Sequence, residues 1–374
     1  MSQCIYLKDA EILELLINLN TDETADFVKA IERCLKDFSL SDERSYQPAP
    51  GIINRPTGQK TLFRPFTSPE TVGTKIIVTP APKANGERDP LHGILALCDN
   101  TGLPTGILGA EEITGYRTSM SAIIPFMWRK LVQRIVIFGA GKQALWHTRL
   151  ALRLRGPEID SIIYVNRSVP RVKGLADQLE REDREYWKSE AKLEYLTPTD
   201  SDYDSKLKDA LAEADVIFCT VGSTTPLFPA HLAIKAKRSE RQPLITAVGS
   251  WQPDMIEIDP DILRSVVDDA DAFNPKAESG GVMLVDDREG ALEHAGEVVQ
   301  SKLDGSQVVE LGELLAVKSG DTVWKQQQGS REVEQWLAQD LVLYKSIGVS
   351  ATDLAAANVI LSLAKQQNVG TTLS

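Results

Sequence analysis

The sequence predicts an α/β protein with a doubly wound, mostly parallel sheet, together with a second, α+β domain that has a largely antiparallel sheet. From Thr74 onward, short apolar runs are separated by a turn at residues 100–102, which predicts hairpin-linked strands. From Arg134 onward, strand-like and helix-like patterns alternate, as in a parallel sheet. A chain of 374 residues also exceeds the usual size of one hydrophobic core, so two domains are expected.

The first third of the chain combines helices with short strands. Residues 8–38 carry apolar side chains at three- and four-residue spacing and predict two helices, while the stretch up to about residue 60 has no periodicity and predicts loop or irregular strand. The runs TKIIVTP, HGILALCD and LPTGILGA predict strands. Residues 117–131 then predict a helix whose first turn Thr118 or Ser119 could cap.

The alternating region predicts strands at RIVIFG, SIIYVN, ADVIFCT and PLITAVGS, with helices at 142–154 and 171–181. The charged segment 182–207 is interpreted as a surface excursion. Near the end, a strand-like run, a Ser-Ile-Gly turn and a strong helix are expected to return to the first domain. The predicted domains are therefore 1–127 with 335–374, and 128–334.

Composition excludes several classes of partner and site. A net charge of −12 repels nucleic acid and acidic membrane surfaces. The four cysteines lie far apart without a CxxC pair, which favours free thiols in the cytoplasm. The chain start is acidic rather than like a signal peptide, and no apolar run is long enough to span a membrane. The four histidines are too scattered to predict a metal site.

A glycine-rich turn predicts a dinucleotide site. Gly139 and Gly141 follow the strand RIVIF, and Ala144 stands at the third position of a GxGxxA pattern that opens a helix. The first glycine allows the tight turn and the second lets the backbone approach a pyrophosphate, which the amides at the helix start, around Lys142 and Gln143, can bind. This context predicts a Rossmann-type domain rather than an unrelated tight turn.

The second strand of this domain ends in Asn166, Arg167 and Ser168. An NAD site usually has an acidic residue here, whereas an arginine can pair with a 2′-phosphate. The triplet therefore favours NADP(H), with NAD(H) as the alternative. Thr220 and Val221 end a later strand and are expected along the same cofactor-binding edge.

Together these segments resemble the ornithine cyclodeaminase and μ-crystallin family. The resemblance runs in order through TKIIVTP, ILALCDNTGLPTGILGAEEITGYRTSMSA, IVIFGAGKQALWH, VNRS, ADVIFCTVGSTTPLF, ITAVGSWQPDMIEID and VLYKSIGVSATDLAAA. It implies a homodimer whose subunits pair a Rossmann domain with a substrate-binding and dimerisation domain. It also implies hydride transfer between a nicotinamide cofactor and a carbon that bears nitrogen and a carboxylate.

The resemblance assigns residues to this chemistry. Arg117 resembles the carboxylate-binding arginine, and the helix that follows it is expected to reinforce an anion site. Arg55 resembles a second, assisting arginine, and Lys75 matches the active-site lysine, although the pattern alone would make Lys75 an exposed charge on a strand. Thr118 and Ser346 resemble residues near the cofactor.

One position departs from the cyclodeaminases. Trp251 stands where they have an aspartate that is thought to activate water or the attacking amine, and Asp254 lies three residues later. Both residues are expected in the substrate pocket, where Trp251 could stack on the nicotinamide or narrow the pocket. Without that carboxylate, deamination with ring closure is disfavoured, whereas reduction of an imine needs no such base. The sequence therefore predicts an NADPH-dependent reductase of an α-imino acid or cyclic ketimine; the alternatives are an ornithine cyclodeaminase and a weakly catalytic NADPH-binding protein.

Overall fold

The computed structural model describes residues 4–84, 89–233, 242–250, 252–277, 279–321, 323–324 and 330–373. Its strands are β1 (Cys4–Leu7), β2 (Gly51–Asn54), β3 (Lys60–Thr67), β4 (Thr71–Thr79), β5 (His92–Asp99), β6 (Pro104–Gly109), β7 (Arg134–Phe138), β8 (Ser161–Val165), β9 (Lys192–Leu196), β10 (Val216–Cys219), β11 (Leu244–Ala247), β12 (Met283–Val285), β13 (Val308–Glu310), β14 (Val342–Lys345) and β15 (Thr371–Leu373).

The α-helices are α1 (Asp9–Ile17), α2 (Thr21–Leu40), α3 (Ala110–Met127), α4 (Lys142–Arg155), α5 (Val169–Glu182), α6 (Tyr203–Glu213), α7 (Ala230–Ala233), α8 (Pro260–Val267), α9 (Arg288–His294), α10 (Gly296–Ser301), α11 (Leu311–Lys318), α12 (Ser330–Gln339) and α13 (Ser350–Gln367). The chain divides into two compact units, Met1–Arg117 with Val349–Ser374, and Thr118–Gly348.

The first unit is built on a seven-stranded mixed sheet. Its strand order is β15-β1-β6-β5-β4-β3-β2, and β2 to β6 form an antiparallel meander. Strand β1 pairs in parallel with β6, so the sheet is mixed rather than purely antiparallel. Helix α13 packs on β3 and β4 and also contacts α2. This helical layer buries one face of the sheet.

The second unit contains the predicted doubly wound parallel sheet. Its eight strands run in the order β13-β12-β14-β11-β10-β7-β8-β9, and all of their pairings are parallel. Six adjacent strands, in the order β9-β8-β7-β10-β11-β14, follow the 3-2-1-4-5-6 order of a dinucleotide-binding sheet. Strand β7 is the first strand of that order. Strands such as β10 are fully buried, which explains their continuous apolar runs.

Several predicted boundaries were wrong. Helix α3 begins at Ala110 rather than 117, with Glu111 and Glu112 in its first turn, so Thr118 and Ser119 lie inside the helix and do not cap it. The segment 182–207 is more than a surface excursion, because it contains β9 and the start of α6. Strand β9 is at the edge of the sheet and largely exposed, which accounts for its polar sequence.

The division of the chain also differs from the prediction. Strand β14 pairs with β11 and β12 in the parallel sheet, so the boundary predicted at residue 335 lies too early. The first boundary falls inside α3, at residues 117 and 118, rather than after residue 127. Both differences have the same origin, since a domain boundary depends on long-range packing that the local pattern of apolar residues does not show.

Candidate active site

A buried cluster of charges lies in the first unit, between strand β4 and helices α3 and α13. The Nζ of Lys75 lies 2.8 Å from Oδ1 and 2.7 Å from Oδ2 of Asp353. The Nε of Arg117 donates to the same Oδ1 at 2.9 Å. Lys75 also donates to Oγ1 of Thr114 at 3.3 Å. The structure thus brings together the predicted Lys75 and Arg117 and joins them through a carboxylate that the sequence did not reveal.

The sheet explains why Lys75 is buried. Strand β4 is central, with β3 on one side and β5 on the other, and Lys75 is opposite Leu95 of β5. Lys75 therefore points to the face that α13 covers, while the adjacent Ile76 points to the other face. Its side chain is 1% exposed, which excludes the alternative of an exposed strand charge.

Arg117 reaches the cluster from within a helix. It lies about two turns beyond the start of α3, so the expected reinforcement by a helix amino end was wrong. The side chain is buried and its charge is balanced by Asp353. The positive charge of this cluster therefore comes from side chains rather than from a helix terminus.

The cluster has unusual protonation behaviour. Burial lowers the pKa of Lys75 to about 7; the field of Asp353 opposes this shift, and the charges of Arg117 and Arg64 add to it. Burial alone would raise the pKa of the Asp353 carboxyl, but Arg117, Lys75 and Arg64 together hold it below its ordinary value. The site thus contains a lysine that titrates near neutral pH beside a carboxylate that stays ionised.

Arg64 is a second residue that sequence reasoning missed. It lies on β3 directly opposite Lys75, so the two side chains share a face of the sheet, and Arg64 is half-buried. The predicted second arginine, Arg55, is exposed in the turn between β2 and β3, where its backbone N–H donates to the carbonyl of Gln59. Arg64 is identified as a neighbour of Lys75 only by the residue-by-residue pairing of β3 with β4. That pairing can be predicted only if KTLFRPFT is recognised as a strand.

The glycine-rich turn in the second unit has the geometry of a phosphate-binding loop. Gly139 has a φ of +119°, and a Cβ there would lie 2.6 Å from Oγ1 of Thr220. Gly141 precedes α4, is exposed, and has open space where its Cβ would lie. The first glycine is thus required by the fold, and the second leaves room for a ligand at the helix start, where Lys142 is exposed and Gln143 half-buried.

The predicted 2′-phosphate residues lie just after β8. Arg167 is exposed, and Ser168 precedes the first turn of α5. The side-chain amide of Asn166 donates to the carbonyl of Ser168 at 3.0 Å and so fixes the shape of this loop. These three residues occupy the carboxyl end of the second strand of the dinucleotide order, as the prediction requires.

Three of the four other predicted cofactor residues have structural partners of their own. Thr220 follows β10, and its hydroxyl donates to the carbonyl of Phe138 at 2.7 Å. The backbone N–H of Val221 donates to Glu257. Ser346 is buried and donates its hydroxyl to Asp286 at 2.6 Å. Thr118 is buried within α3.

The two predicted pocket residues give less information. Trp251 lies outside the described residues. Asp254 is exposed in a turn between β11 and α8. Within the part of the chain that the structure describes, no group of three or more metal-ligating side chains is present, and no helix is both long and apolar enough to cross a bilayer.

Comparison with known proteins gives matches along the chain. A family model described as shikimate/quinate 5-dehydrogenase matches residues 127–250, at the start of the parallel-sheet unit. A Delta(1)-pyrroline-2-carboxylate reductase of Bacillus cereus is 24% identical over 95% of both chains. The solved structure of Thermococcus litoralis Delta(1)-pyrroline-2-carboxylate reductase, in complex with NADH and L-proline, is 17% identical, covers 99% of this chain and 100% of that chain, and has a TM-score of 0.72.

A further relative carries the assignment. An uncharacterized cyclodeaminase of Dictyostelium discoideum is 30% identical over 333 residues, which are 85% of this chain and 84% of that protein. The solved structure supports the same overall fold along the whole chain. The chain therefore belongs to the ornithine cyclodeaminase and μ-crystallin family.

Proposed function

We propose that this protein is an NADPH-dependent oxidoreductase that reduces the C=N bond of an α-imino acid or cyclic ketimine, or runs the reverse amino-acid dehydrogenation. The observation that carries the proposal is the buried cluster in which Lys75 and Arg117 share Asp353 and the pKa of Lys75 is about 7. The reductase names of relatives that align over nearly the whole chain support it.

The cluster supplies the two groups that this reduction needs. A guanidinium has five donors in a fixed plane, so Arg117 can bind a substrate carboxylate while its Nε remains with Asp353. The ammonium of Lys75 donates a proton to the imine nitrogen, and a pKa near neutral suits a general acid. The carbon of the C=N bond accepts a hydride and the nitrogen gains the proton, which gives the amine. When bound, NADPH supplies that hydride and becomes NADP⁺.

The second unit supplies a cofactor site that fits NADPH. The amides at the start of α4 would hold the pyrophosphate above Gly141, where the structure leaves open space. Arg167 and Ser168 would hold the 2′-phosphate, and no acidic residue lies within their triplet to repel it. NAD(H) remains the alternative, since related structures contain it.

Purified protein tests the proposal directly. With NADPH and five- or six-membered cyclic imino acids that carry a 2-carboxylate, we expect loss of the reduced nicotinamide absorbance and formation of the cyclic amino acid. The matched control substrate is the same cyclic imine without the carboxylate, which should react far more slowly because Arg117 has nothing to bind. Absence of turnover with every imino acid would contradict the proposal.

A second function is favoured by the relative named as a cyclodeaminase. An ornithine cyclodeaminase would form proline and ammonia from ornithine without added NADPH, and Trp251 at the aspartate position argues against it. A protein that only binds the cofactor would retain NADPH and show no turnover. Lys75→Met and Arg117→Lys separate a reductase from such a binder, since only a reductase has turnover to lose.

We also propose that the protein is a cytoplasmic homodimer that assembles through the sheet of the first unit. Phe63, Ile76 and Ile94 lie directly opposite one another on the face away from Lys75. Phe63 and Ile94 are exposed, as is Val72 on the same face. An apolar face of this kind is typical of a protein interface.

The proposed cytoplasmic location rests on a separate observation. The four cysteines are free thiols, which fits a reducing compartment.

A further inference from the structure

A buried carboxylate in the second unit joins two loops that follow neighbouring parallel strands. The Oε1 of Glu257 accepts the backbone N–H of Val221, after β10, at 2.8 Å. Its Oε2 accepts the N–H groups of Gly249 and Ser250, after β11, at 2.6 and 3.0 Å. The residue is fully buried. A single side chain therefore fixes the positions of both loops.

A lysine and a second glutamate complete this arrangement. The Nζ of Lys345, at the end of β14, lies 3.6 Å from Glu257 and 3.3 Å from Glu297, and it donates to Oγ of Ser250 at 2.6 Å. Lys345, Glu257 and Glu297 are all 0% exposed. Burial raises the pKa of Glu257 to about 7, while the charge of Lys345 opposes that rise. Buried charges are a costly way to stabilise a fold, so their position calls for a functional explanation.

The two loops lie close to each other, and the loop after β10 also lies close to the glycine-rich turn. A Cβ on Gly249 would lie 2.6 Å from the backbone of Val221 and 2.7 Å from Glu257. A Cβ on Gly139 would lie 3.1 Å from the side chain of Val221. Contacts thus continue from the glycine-rich turn through Val221 to Glu257. A small displacement at Glu257 would be transmitted to the edge of the cofactor site.

The strand order indicates which part of the cofactor the contacts of Glu257 affect. Arg167 follows β8 on one side of β7, whereas β10 and β11 lie on the other side. The two halves of a dinucleotide bind to the two halves of such a sheet. If Arg167 marks the adenosine half, the loops that Glu257 holds border the nicotinamide half.

We propose that Glu257 is a positioning residue that joins the loops after β10 and β11 and thereby shapes the nicotinamide half of the cofactor site. The inference rests on the proposed NADPH binding. It extends that function by assigning the two halves of the coenzyme to separate structural supports, Arg167 on one side and Glu257 on the other.

The two halves can be measured separately in Glu257→Gln. The substitution keeps the size of the side chain but replaces an acceptor oxygen with an NH₂ group that faces backbone donors. We expect the Kd for NADPH to rise about tenfold or more, as the loss of a charged hydrogen bond implies. The Kd for adenosine 2′,5′-bisphosphate, which lacks the nicotinamide, should be unchanged. Fluorescence titration and calorimetry measure the two values.

Asp215→Asn is the matched control. Asp215 is also a buried carboxylate, and it accepts the N–H groups of Gln133 and Arg134 at 2.8 and 3.1 Å, but at the amino end of β7. It should lower the melting temperature without changing either Kd. Arg167→Ala should weaken the binding of both NADPH and the bisphosphate.

Gly249→Ala provides a second test if Glu257→Gln does not fold. It keeps Glu257 and pushes the two loops apart, so it should weaken NADPH binding and leave bisphosphate binding intact. Unchanged NADPH binding in either variant would overturn the proposal, as would an equal loss of both ligands in Glu257→Gln, because that result indicates a purely structural role. Wild-type protein that bound no NADPH would overturn the proposed function and this inference with it.

Discussion

At the scale of the residue, the candidate site depends on how Lys75 is charged. Its predicted role required only a family motif, but its chemistry depends on Asp353, which lies 278 residues away in sequence. In the sequence, Asp353 is an acidic residue in the first turn of a helix, where acids are common for reasons of local stability. The family resemblance could therefore assign the lysine and the arginine, but local pattern could not identify the carboxylate that joins them.

The pH dependence of turnover tests this cluster. Lys75 has to be protonated to donate to the imine, and its pKa is lowered to about 7, so kcat/KM should fall as the pH rises through that value. Asp353 raises the pKa of Lys75, so Asp353→Asn should move the descending limb of the profile to lower pH. Asp26→Asn, on the surface of α2, should leave the profile unchanged. A limb that stays in place in Asp353→Asn would contradict the assignment.

Arg64 and Arg55 should differ in how much they contribute to binding the imino acid. We expect Arg64→Gln to raise the KM for the imino acid about tenfold or more, because Arg64 is opposite Lys75 and its field acts on both Lys75 and Asp353. Arg55→Gln, in the exposed turn, should change KM less than about twofold. Steady-state kinetics with one substrate compares them. The reverse order would restore Arg55 as the second arginine.

At the scale of the element, the strongly periodic segments were predicted best. Strand β7, helix α4 and strand β8 appear where the sequence places them, because buried parallel strands have continuous apolar runs and their helices an amphipathic face. Strand β9 is exposed at the sheet edge and lacks that signal. Helix α3 was placed too late because its first turn contains charged residues that resemble a loop.

Alanine substitutions at the two glycines of the glycine-rich turn should have different effects, one on stability and the other on NADPH binding. Gly139→Ala forces a side chain into a positive-φ conformation and against Thr220, so it should destabilise the fold by about 1–3 kcal/mol. Gly141→Ala places a methyl group in open space and should leave the melting temperature unchanged while weakening NADPH binding. Thermal unfolding and NADPH titration of both variants separate the effects. Normal NADPH binding by Gly141→Ala would argue against a pyrophosphate at α4.

At the scale of the whole molecule, the sequence predicted two domains and the kind of sheet in each, but not where the chain passes between them. The parallel sheet recruits β14, from near the end of the chain, and only α13 and β15 return to the first unit. Which sheet a strand joins depends on long-range pairing, because a strand such as VLYK would have the same local pattern in either domain. The division therefore required the register of β14 with β11 and β12.

The exposed apolar face of the first unit's sheet predicts that the protein forms a dimer. The chain has a mass of 41.1 kDa, and light scattering should give about twice that value for the wild type if Phe63, Val72 and Ile94 lie in a dimer interface. Phe63→Asp with Ile94→Asp places two carboxylates on that face and should yield monomers, because a buried interface cannot accommodate unpaired charges. Val299→Asp, at an exposed apolar residue of α10, is the control and should remain dimeric. A double variant that stays dimeric would show that the subunits associate through another surface.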